Sequence, residues 1–216
     1  CKPVFVDIDP GTFNIDPSKI EAAIGPNTKA IVATHVYGFP CAVEQIEAIA
    51  GKHQLKVIYD GAHAFAVNYQ GRSLLSYGDV TTCSLHATKL FHMAEGGAVI
   101  CNDEAVARKV ELARSFGHEY DDYYTEGING KNSELHAALG LTVLPHVNEL
   151  IAKNKTLIEY YHTHLGKQVQ FHNMEMEGLE WNYSYCPVLF TSEQEMLRVK
   201  EALNREGIFP RRYFYP

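Results

Sequence analysis

The sequence is short of positive charge. Lysine and arginine together number 19, against 26 aspartate and glutamate residues, so the formal net charge is -7. A protein that binds nucleic acid or anionic membranes without sequence preference needs a basic surface. The charge balance therefore argues against both kinds of partner.

Long apolar runs and paired cysteines are also missing. No stretch of the sequence approaches the ~20 apolar residues that a membrane-spanning helix needs. The five cysteines are widely scattered and include no Cys-x-x-Cys pair. This usage is typical of free thiols in a reducing compartment, so we expect a cytoplasmic location.

What remains is the composition of a globular protein, with 46% hydrophobic and 21% charged residues among 216. Strand-like apolar runs alternate with helix-like segments in the first half. The predicted strands are 4–8, 28–36, 55–60, 80–85 and 97–102, and the predicted helices are 16–24, 42–53 and 104–117. This alternation predicts an α/β fold whose mainly parallel sheet is covered on both faces, with a ligand site at the carboxyl ends of the strands.

The pattern changes after about residue 130. Residues 133–166 read as one long helical region that Pro145 should kink or divide. A strand (181–190), a helix (192–207) and a short strand (208–215) follow as a small α+β unit. We therefore expect a large α/β domain over 1–130, a connecting helical region over 131–166 and a small C-terminal domain over 167–216.

Two stretches carry groups with distinctive chemistry. "VIYDGAHAF" (57–65) delivers Asp60 at the tip of a buried strand, where a carboxylate is costly without a partner. "SLHATKLFHMAEGG" (84–97) begins with Ser84 at another strand end and places Lys89 among apolar neighbours. A carboxylate, a hydroxyl and a lysine in one pocket suit a cofactor with a ring nitrogen, a phosphate and an aldehyde, which is pyridoxal phosphate.

Several ordered motifs also resemble a known family, the DegT/DnrJ/StrS sugar aminotransferases, which are fold-type-I enzymes dependent on pyridoxal phosphate. The resemblance runs from about residue 3 to the end of the chain. It is carried by "PVFVDIDPGTFNIDPSKIEAAI", "TKAIVATHVYGFP", "VIYDGAHAF", "SLHATKLFHMAEGGAVI", "GINGKNSELHAALGL" and "RRYFYP".

The resemblance implies a role for each matching residue. Asp60 would bind the pyridinium nitrogen, and His63 would lie close to the ring and its phenolic oxygen. Ser84 would bind the cofactor phosphate, and Lys89 would form the Schiff base. Asn129, in the Gly-x-Asn-Gly-Lys motif, would reach across a homodimer interface to the partner's cofactor phosphate.

Four further residues are predicted to contact substrate: His86 near the lysine, and Arg212, Tyr213 and Tyr215 at the end of the chain. Simpler interpretations stay open for this set and for the cofactor residues. The histidines and Lys89 could be ordinary packing or loop residues, and Ser84 and Asn129 could be turn or cap residues.

The implied function is transamination of a nucleotide-linked keto sugar in amino-sugar biosynthesis for polysaccharide or lipopolysaccharide. Glutamate is the expected amino donor, and a 4-keto-6-deoxyhexose on dTDP or UDP is the preferred acceptor. A 3-keto sugar aminotransferase, another pyridoxal-phosphate enzyme of the same fold and a non-catalytic regulatory relative are the alternatives. Lys89 argues against the related sugar dehydratases, in which the resemblance implies a histidine at this position.

The sequence departs from the family pattern at Gly61 and at Asn132, which follows Lys131 where the family often has Met or Leu, and we expect the family's N-terminal part and C-terminal end to lie outside it. Gly61 stands where the family usually has a residue with a side chain. The Gly-Ser/Thr turn that cradles the cofactor phosphate in the family is not found in this sequence, and we expect it upstream of Cys1. The chain is thus expected to be roughly the middle 60% of an enzyme of ~350–400 residues. No metal site is expected.

Overall fold

The computed structural model describes residues 1–173 and 175–213. Its strands are, in chain order, β1 Ala30–Thr34, β2 Lys56–Asp60, β3 Asn68–Tyr69, β4 Arg72–Ser73, β5 Val80–Ser84, β6 Gly97–Cys101, β7 His118–Glu119, β8 Asp122–Tyr123, β9 Gln170–Phe171, β10 Leu179–Glu180 and β11 Val188–Leu189. Its α-helices are α1 Ile20–Ala23, α2 Val43–His53, α3 Glu104–Arg114, α4 Glu134–Val143, α5 Val147–Leu165 and α6 Glu193–Arg205.

The main sheet has four strands in the order β1-β2-β5-β6. The first three are parallel and β6 runs antiparallel at the edge, which confirms the predicted α/β fold with a mainly parallel sheet. In this register Asp60 lies between Thr34 of β1 and Thr82 of β5. The carboxyl ends of three strands therefore meet at one edge of the sheet, with Asp60 in the middle.

Helix α2 covers one face of this sheet. Val43 and Ile46 of α2 are fully buried and belong to the same core cluster as Val57 and Tyr59 of β2. Burying an aliphatic side chain of this size stabilises a fold by about 2 kcal/mol. This packing anchors β2 and so fixes the position of Asp60 at its end.

The opposite face of the sheet is open within the described residues. Val32 on this face is 63% exposed, and Thr82 and Val99 are exposed beside it. Side chains alternate between faces along a strand, so Asp60 shares this face and Tyr59 the buried one. The predicted covering of both faces is thus seen on one face only.

Side-chain caps begin three of the helices. Asp103, Ser133 and Ser192 each accept a hydrogen bond from a backbone N–H in the first turn of α3, α4 and α6. Pro145 lies in a 3-10 turn between α4 and α5 and divides the long helical region, as predicted. Among residues 1–173 and 175–213, no helix combines the length and apolarity of a membrane span.

Three strand predictions were wrong in whole or in part. Residues 4–8 form only an isolated bridge between Ile8 and Ile15, and Phe5 is 91% exposed, because no described strand lies alongside to pair with them. The described residues of 208–215 contain no strand. Of 181–190, only β11 is a strand, because the preceding residues bond to loops elsewhere and Tyr183 takes a positive φ of 52°.

The C-terminal part of the chain joins the preceding part through strand pairing. Leu179 and Glu180 of β10 pair with Tyr69 and Asn68 of β3, and Trp181 then packs against the main core. A segment more than 100 positions away in the sequence is thereby brought beside the carboxyl end of β2.

Candidate functional site

The Asp60 carboxylate lies on the open face at the end of β2. Its Oδ1 accepts a hydrogen bond from the Ala62 N–H at 2.9 Å, which orients the carboxylate. Within the described part of the chain, neither Asp60 nor Lys89 is in an ion pair. A half-buried carboxylate in this situation is suited to a cationic ligand.

Gly61 is required by the close approach of β2 and β5. Its N–H donates to the Thr82 carbonyl at 2.8 Å, and a Cβ here would lie 2.6 Å from Leu75 Cδ2 and 2.9 Å from the Thr82 oxygen. Real Cβ atoms do not approach other atoms so closely. The departure from the family pattern at Gly61 is therefore a packing feature that leaves Asp60 in place.

His63 is buried just behind Asp60, with 8% of its surface exposed. Its Nδ1 accepts a hydrogen bond from the Tyr37 N–H at 3.0 Å, so the proton of the neutral ring belongs on Nε2. Burial lowers the pKa of His63 to about 4; the positive charge of Lys89 acts in the same direction and the Asp60 carboxylate opposes it. His63 is thus a neutral imidazole at neutral pH, within the electrostatic reach of both Lys89 and Asp60.

The turn that holds His63 in this state is strained. Tyr37 has a φ of 56°, which is unusual for a residue with a side chain. Gly38 follows at φ 77°, and a Cβ there would lie 2.7 Å from the His63 carbonyl oxygen. Strain of this kind concentrates at functional sites, where the surrounding structure maintains it. Here it aims the Tyr37 N–H at the His63 ring.

Lys89 lies in a compact loop between β5 and β6. The backbone N–H of Lys89 donates a hydrogen bond to the His86 carbonyl at 2.9 Å. The buried side chains of Phe91 and Met93 anchor the loop. Ser84 ends β5 on the same face as Asp60, and its Oγ accepts the His86 N–H at 3.4 Å. The local sequence therefore presents a hydroxyl and a half-buried amine at the strand ends.

The site is completed by three residues that the sequence patterns did not predict, Trp181, Asn182 and Tyr185. The Trp181 indole donates to the Tyr37 carbonyl at 2.9 Å. The buried Asn182 amide donates to the carbonyls of His63 at 3.0 Å and Phe65 at 2.8 Å. Tyr185 packs its ring 4.4 Å from the His63 ring and places its hydroxyl 3.5 Å from Lys89 Nζ. The available signal was the unusual run "WNYSY", which we interpreted as a strand.

The four residues predicted to contact substrate lie in different parts of the structure, and only some of them are near the site. Tyr213 lies in the aromatic cluster, with its ring 6.3 Å from that of His63. Arg212 pairs with Glu193 at the start of α6, at 2.6 Å. His86 is exposed, and its ring contacts Thr88 at 3.0 Å. Tyr215 lies outside the described residues.

Asn129 lies apart from these groups, on an exposed loop along the end of α3. Its backbone bridges to Ser115, and its side-chain oxygen accepts a hydrogen bond from Lys131 Nζ at 3.0 Å. Within this chain the structure therefore brings together Asp60, His63 and Lys89, with Ser84 on the same strand ends, and leaves Asn129 on the surface.

Comparison with known proteins places this geometry in a family. The sequence profile of the DegT/DnrJ/EryC1/StrS aminotransferase family matches residues 1–216. The chain belongs to this aminotransferase family. The dTDP-4-amino-4,6-dideoxy-D-glucose transaminase of Shigella dysenteriae is 42% identical over 100% of this chain and 60% of its own length. A GDP-perosamine synthase of Caulobacter vibrioides is 34% identical over 99% of this chain and 60% of its own length.

A solved structure of the aminotransferase family confirms the fold. The structure of DesI in the presence of its TDP-sugar product matches 99% of this chain, with 37% identity and a TM-score of 0.90, and the match covers 56% of the DesI chain. The chain spans about three-fifths of the length of the curated relatives it matches.

Aminotransferases of this family use pyridoxal phosphate. The donor set here fits that cofactor, because the Asp60 carboxylate has no cationic partner among the described residues and a primary amine and a hydroxyl lie at the same strand ends. The partly open cavity between Lys89 and Asn182 is only about 10 Å³, room for about one water molecule. A cofactor would therefore lie on the open face of the sheet.

Proposed function

We propose that this chain forms the cofactor-binding part of an aminotransferase dependent on pyridoxal phosphate. Its substrate would be a nucleotide-linked keto sugar, converted to an amino sugar with glutamate as amino donor. The observation that carries the proposal is the convergence of Asp60 and Lys89 on the buried, neutral His63.

The residues have separate tasks in this reaction. When bound, pyridoxal phosphate supplies an aldehyde that exchanges amines and a pyridinium ring that accepts electron density. Asp60 would hold a proton on the ring nitrogen through a charge-assisted hydrogen bond. His63 would offer its Nε2–H to the cofactor, because Nδ1 is occupied by the Tyr37 N–H. Lys89 would attach to the cofactor and, once released, take up and return a proton at Nζ.

The acceptor that we prefer is a 4-keto-6-deoxyhexose on dTDP or UDP. The name of the Shigella relative specifies a 4-amino sugar on dTDP, and that of the Caulobacter relative a sugar on GDP. The nucleotide therefore varies among relatives of similar sequence. A 3-keto sugar is the second candidate acceptor. We also place the protein in the cytoplasm, in keeping with its free cysteines.

The decisive experiment follows the attachment of cofactor and the transfer of the amino group. When pyridoxal phosphate is added, the full-length natural protein should develop an absorbance band near ~410–430 nm that borohydride bleaches. Mass spectrometry should then find the reduced cofactor on Lys89. With glutamate and a dTDP-linked 4-keto-6-deoxyhexose, the protein should release the amino sugar.

Lys89→Ala should abolish the band and the product. Lys109→Ala, at an exposed position on α3, is the matched control and should leave both unchanged. A folded protein that gains no band would reject the enzymatic proposal in favour of a non-catalytic relative. A band with turnover of amino acids alone would reject the sugar substrate.

We also propose that the active enzyme is a homodimer in which Asn129 serves the partner's site. The supporting observation is an exposed apolar surface, here called the 116–144 surface. It consists of Phe116, Tyr120, Tyr123, Tyr124, Ile128, Leu135, Leu139, Leu141 and Leu144. A concentration of exposed apolar and aromatic side chains is typical of protein interaction sites, and Asn129 lies among them in the sequence.

A further inference from the structure

Among the described residues, Tyr185 places its side-chain hydroxyl next to the Lys89 amine. The distance from Lys89 Nζ to the Tyr185 hydroxyl is 3.5 Å, the outer limit for a hydrogen bond. Contacts of catalytic groups are often this long before substrate binds. The two residues are 96 positions apart in sequence, so the contact exists only because the segment 181–185 is folded over the site.

Three contacts fix the position of Tyr185. Its ring packs 4.4 Å from the His63 ring, and the Tyr213 ring lies edge-on to it with 5.9 Å between centroids. Four and three residues before Tyr185, the side chains of Trp181 and Asn182 donate hydrogen bonds to the carbonyls of Tyr37 and His63 and so fix the backbone of this segment. A hydroxyl held in this way can orient a flexible lysine, which carries considerable rotamer entropy of its own.

The ionisation state of Tyr185 suits this task. Burial raises the pKa of Tyr185 well above its ordinary value; the hydrogen bond with Tyr213 adds to the effect, and the positive charge of Arg211 opposes it. The Tyr37 ring lies 5.4 Å from the Tyr185 ring, and Tyr37 raises the pKa of Tyr185 further. Tyr185 is thus a neutral phenol at physiological pH, able to accept a hydrogen bond from the lysine without forming an ion pair.

We propose that Tyr185 is a positioning residue that orients the Lys89 amine toward the cofactor aldehyde. When the cofactor is bound, Lys89 Nζ would form a bond to its aldehyde carbon, and the two amine hydrogens would leave with the aldehyde oxygen as water. No oxidant or reductant is needed. The inference rests on the proposed function and adds to it a residue that is not part of the sequence motifs.

The test removes only the hydroxyl. The experiment starts from the full-length natural protein without cofactor. After pyridoxal phosphate is added, Tyr185→Phe should slow the development of the lysine-dependent absorbance band about tenfold. The visible circular dichroism of that band should also change, because the cofactor's attachment point is held differently. Tyr213→Phe should slow the band about threefold, since Tyr185 then loses one of its supports.

Tyr183→Phe is the matched control, two residues away. Its ring packs on Trp181, 4.9 Å between centroids, and lies 5.7 Å from Lys155 Nζ. This variant should keep the parental rate and dichroism. Melting temperatures of the variants should match the parent's.

The outcomes separate this inference from the proposed function. If the parent forms the band and Tyr185→Phe forms it at the parental rate with parental dichroism, the positioning role is refuted and the enzymatic proposal stands. If the parent forms no band, both proposals fail together. If Tyr185→Phe melts at a lower temperature, Tyr213→Phe decides: an unchanged rate there rejects the positioning role.

Discussion

The site region and the 116–144 surface have similar residues and opposite environments. In the site region, tyrosines, histidines and apolar side chains are packed against one another, with His63 and Asn182 buried. On the 116–144 surface the same kinds of residue face outward, and Tyr120 is 91% and Leu135 84% exposed. Hydrophobicity therefore does not by itself decide which residues are buried in this chain.

The difference lies in the sequence separation of the contacts. Asn182 reaches His63 across 119 positions, whereas the Asn129 side chain bonds to Lys131 two positions away. The site region is closed by distant parts of one chain. The loop of the 116–144 surface is held by backbone hydrogen bonds between nearby residues, such as that from the Ile128 N–H to the Ala113 carbonyl. The exposed apolar side chains of this surface would be buried by a second copy of the chain.

Subunit complementation would test this contrast with the largest expected effect. Lys89→Ala and Asn129→Ala should each lose most activity as homodimers. Unfolded together and refolded as a mixture, they should recover about a quarter of parental activity, because half the dimers are hybrids with one intact site. The measurement is amino-sugar formation per subunit.

The recovery depends on where Asn129 acts. If Asn129 serves the site of its own subunit, a hybrid dimer contains no intact site and mixing adds nothing. A mixture of Lys89→Ala with Lys109→Ala should give half of parental activity whether or not hybrids form, and it therefore controls for losses during refolding.

Substitution of a glycine would test the tight packing of the site region. Gly61→Ala should reduce the free energy of unfolding by about 1–3 kcal/mol, because the new Cβ meets the Leu75 side chain and the Thr82 carbonyl. Gly51→Ala, in α2 with open space around it, should instead stabilise by about 0.5–1 kcal/mol. Urea midpoints at constant slope measure both changes. Equal effects in the two variants would contradict the close approach of β2 and β5.

The pH dependence of the free energy of unfolding below pH 7 would test the burial of His63. Its pKa falls from 6.5 to about 4 on folding, so between these values the unfolded chain binds the proton more strongly. The stability contributed by neutral His63 is fully present above pH 6.5 and is lost as the pH falls toward about 4. The loss is on the order of 2–3 kcal/mol.

His63→Gln should flatten this part of the profile by a similar amount, measured by urea unfolding of cofactor-free protein between pH 7 and pH 4. His164→Gln, at an exposed position on α5, should leave the profile unchanged. His35 is also buried, with its pKa lowered to about 3 by burial, and its contribution should persist in both variants. A parental slope in His63→Gln would show that His63 is not buried as described.

Much of the fold could be predicted because its signals are local. The runs that became β1, β2, β5 and β6 are continuous and apolar, and the caps at Asp103, Ser133 and Ser192 act within one turn. The failures have one cause. Residues 4–8 and 181–187 are apolar or aromatic enough for strands. A strand also needs a neighbouring strand to pair with, and the sequence of the segment alone does not show whether such a partner exists.

The candidate site divides in the same way. The strand ends and loop that present Asp60, His63, Ser84 and Lys89 follow directly from two short motifs, whose roles remain predictions until the experiments above are made. Tyr185 and Asn182 belong to no such motif. They reach the site only because β10 pairs with β3 and carries the following residues over it.

The sequence by itself determined the order of strands and helices, the charged and hydroxyl groups at the strand ends, and the family. These features depend on neighbouring residues and on backbone geometry, which a linear pattern records. The tertiary structure alone decided that His63 is a neutral ring held by a strained turn, that Gly61 cannot carry a side chain, and that a distant tyrosine meets Lys89. Each of these depends on distances between residues far apart in the chain, and burial sets their energies only after folding has brought them together.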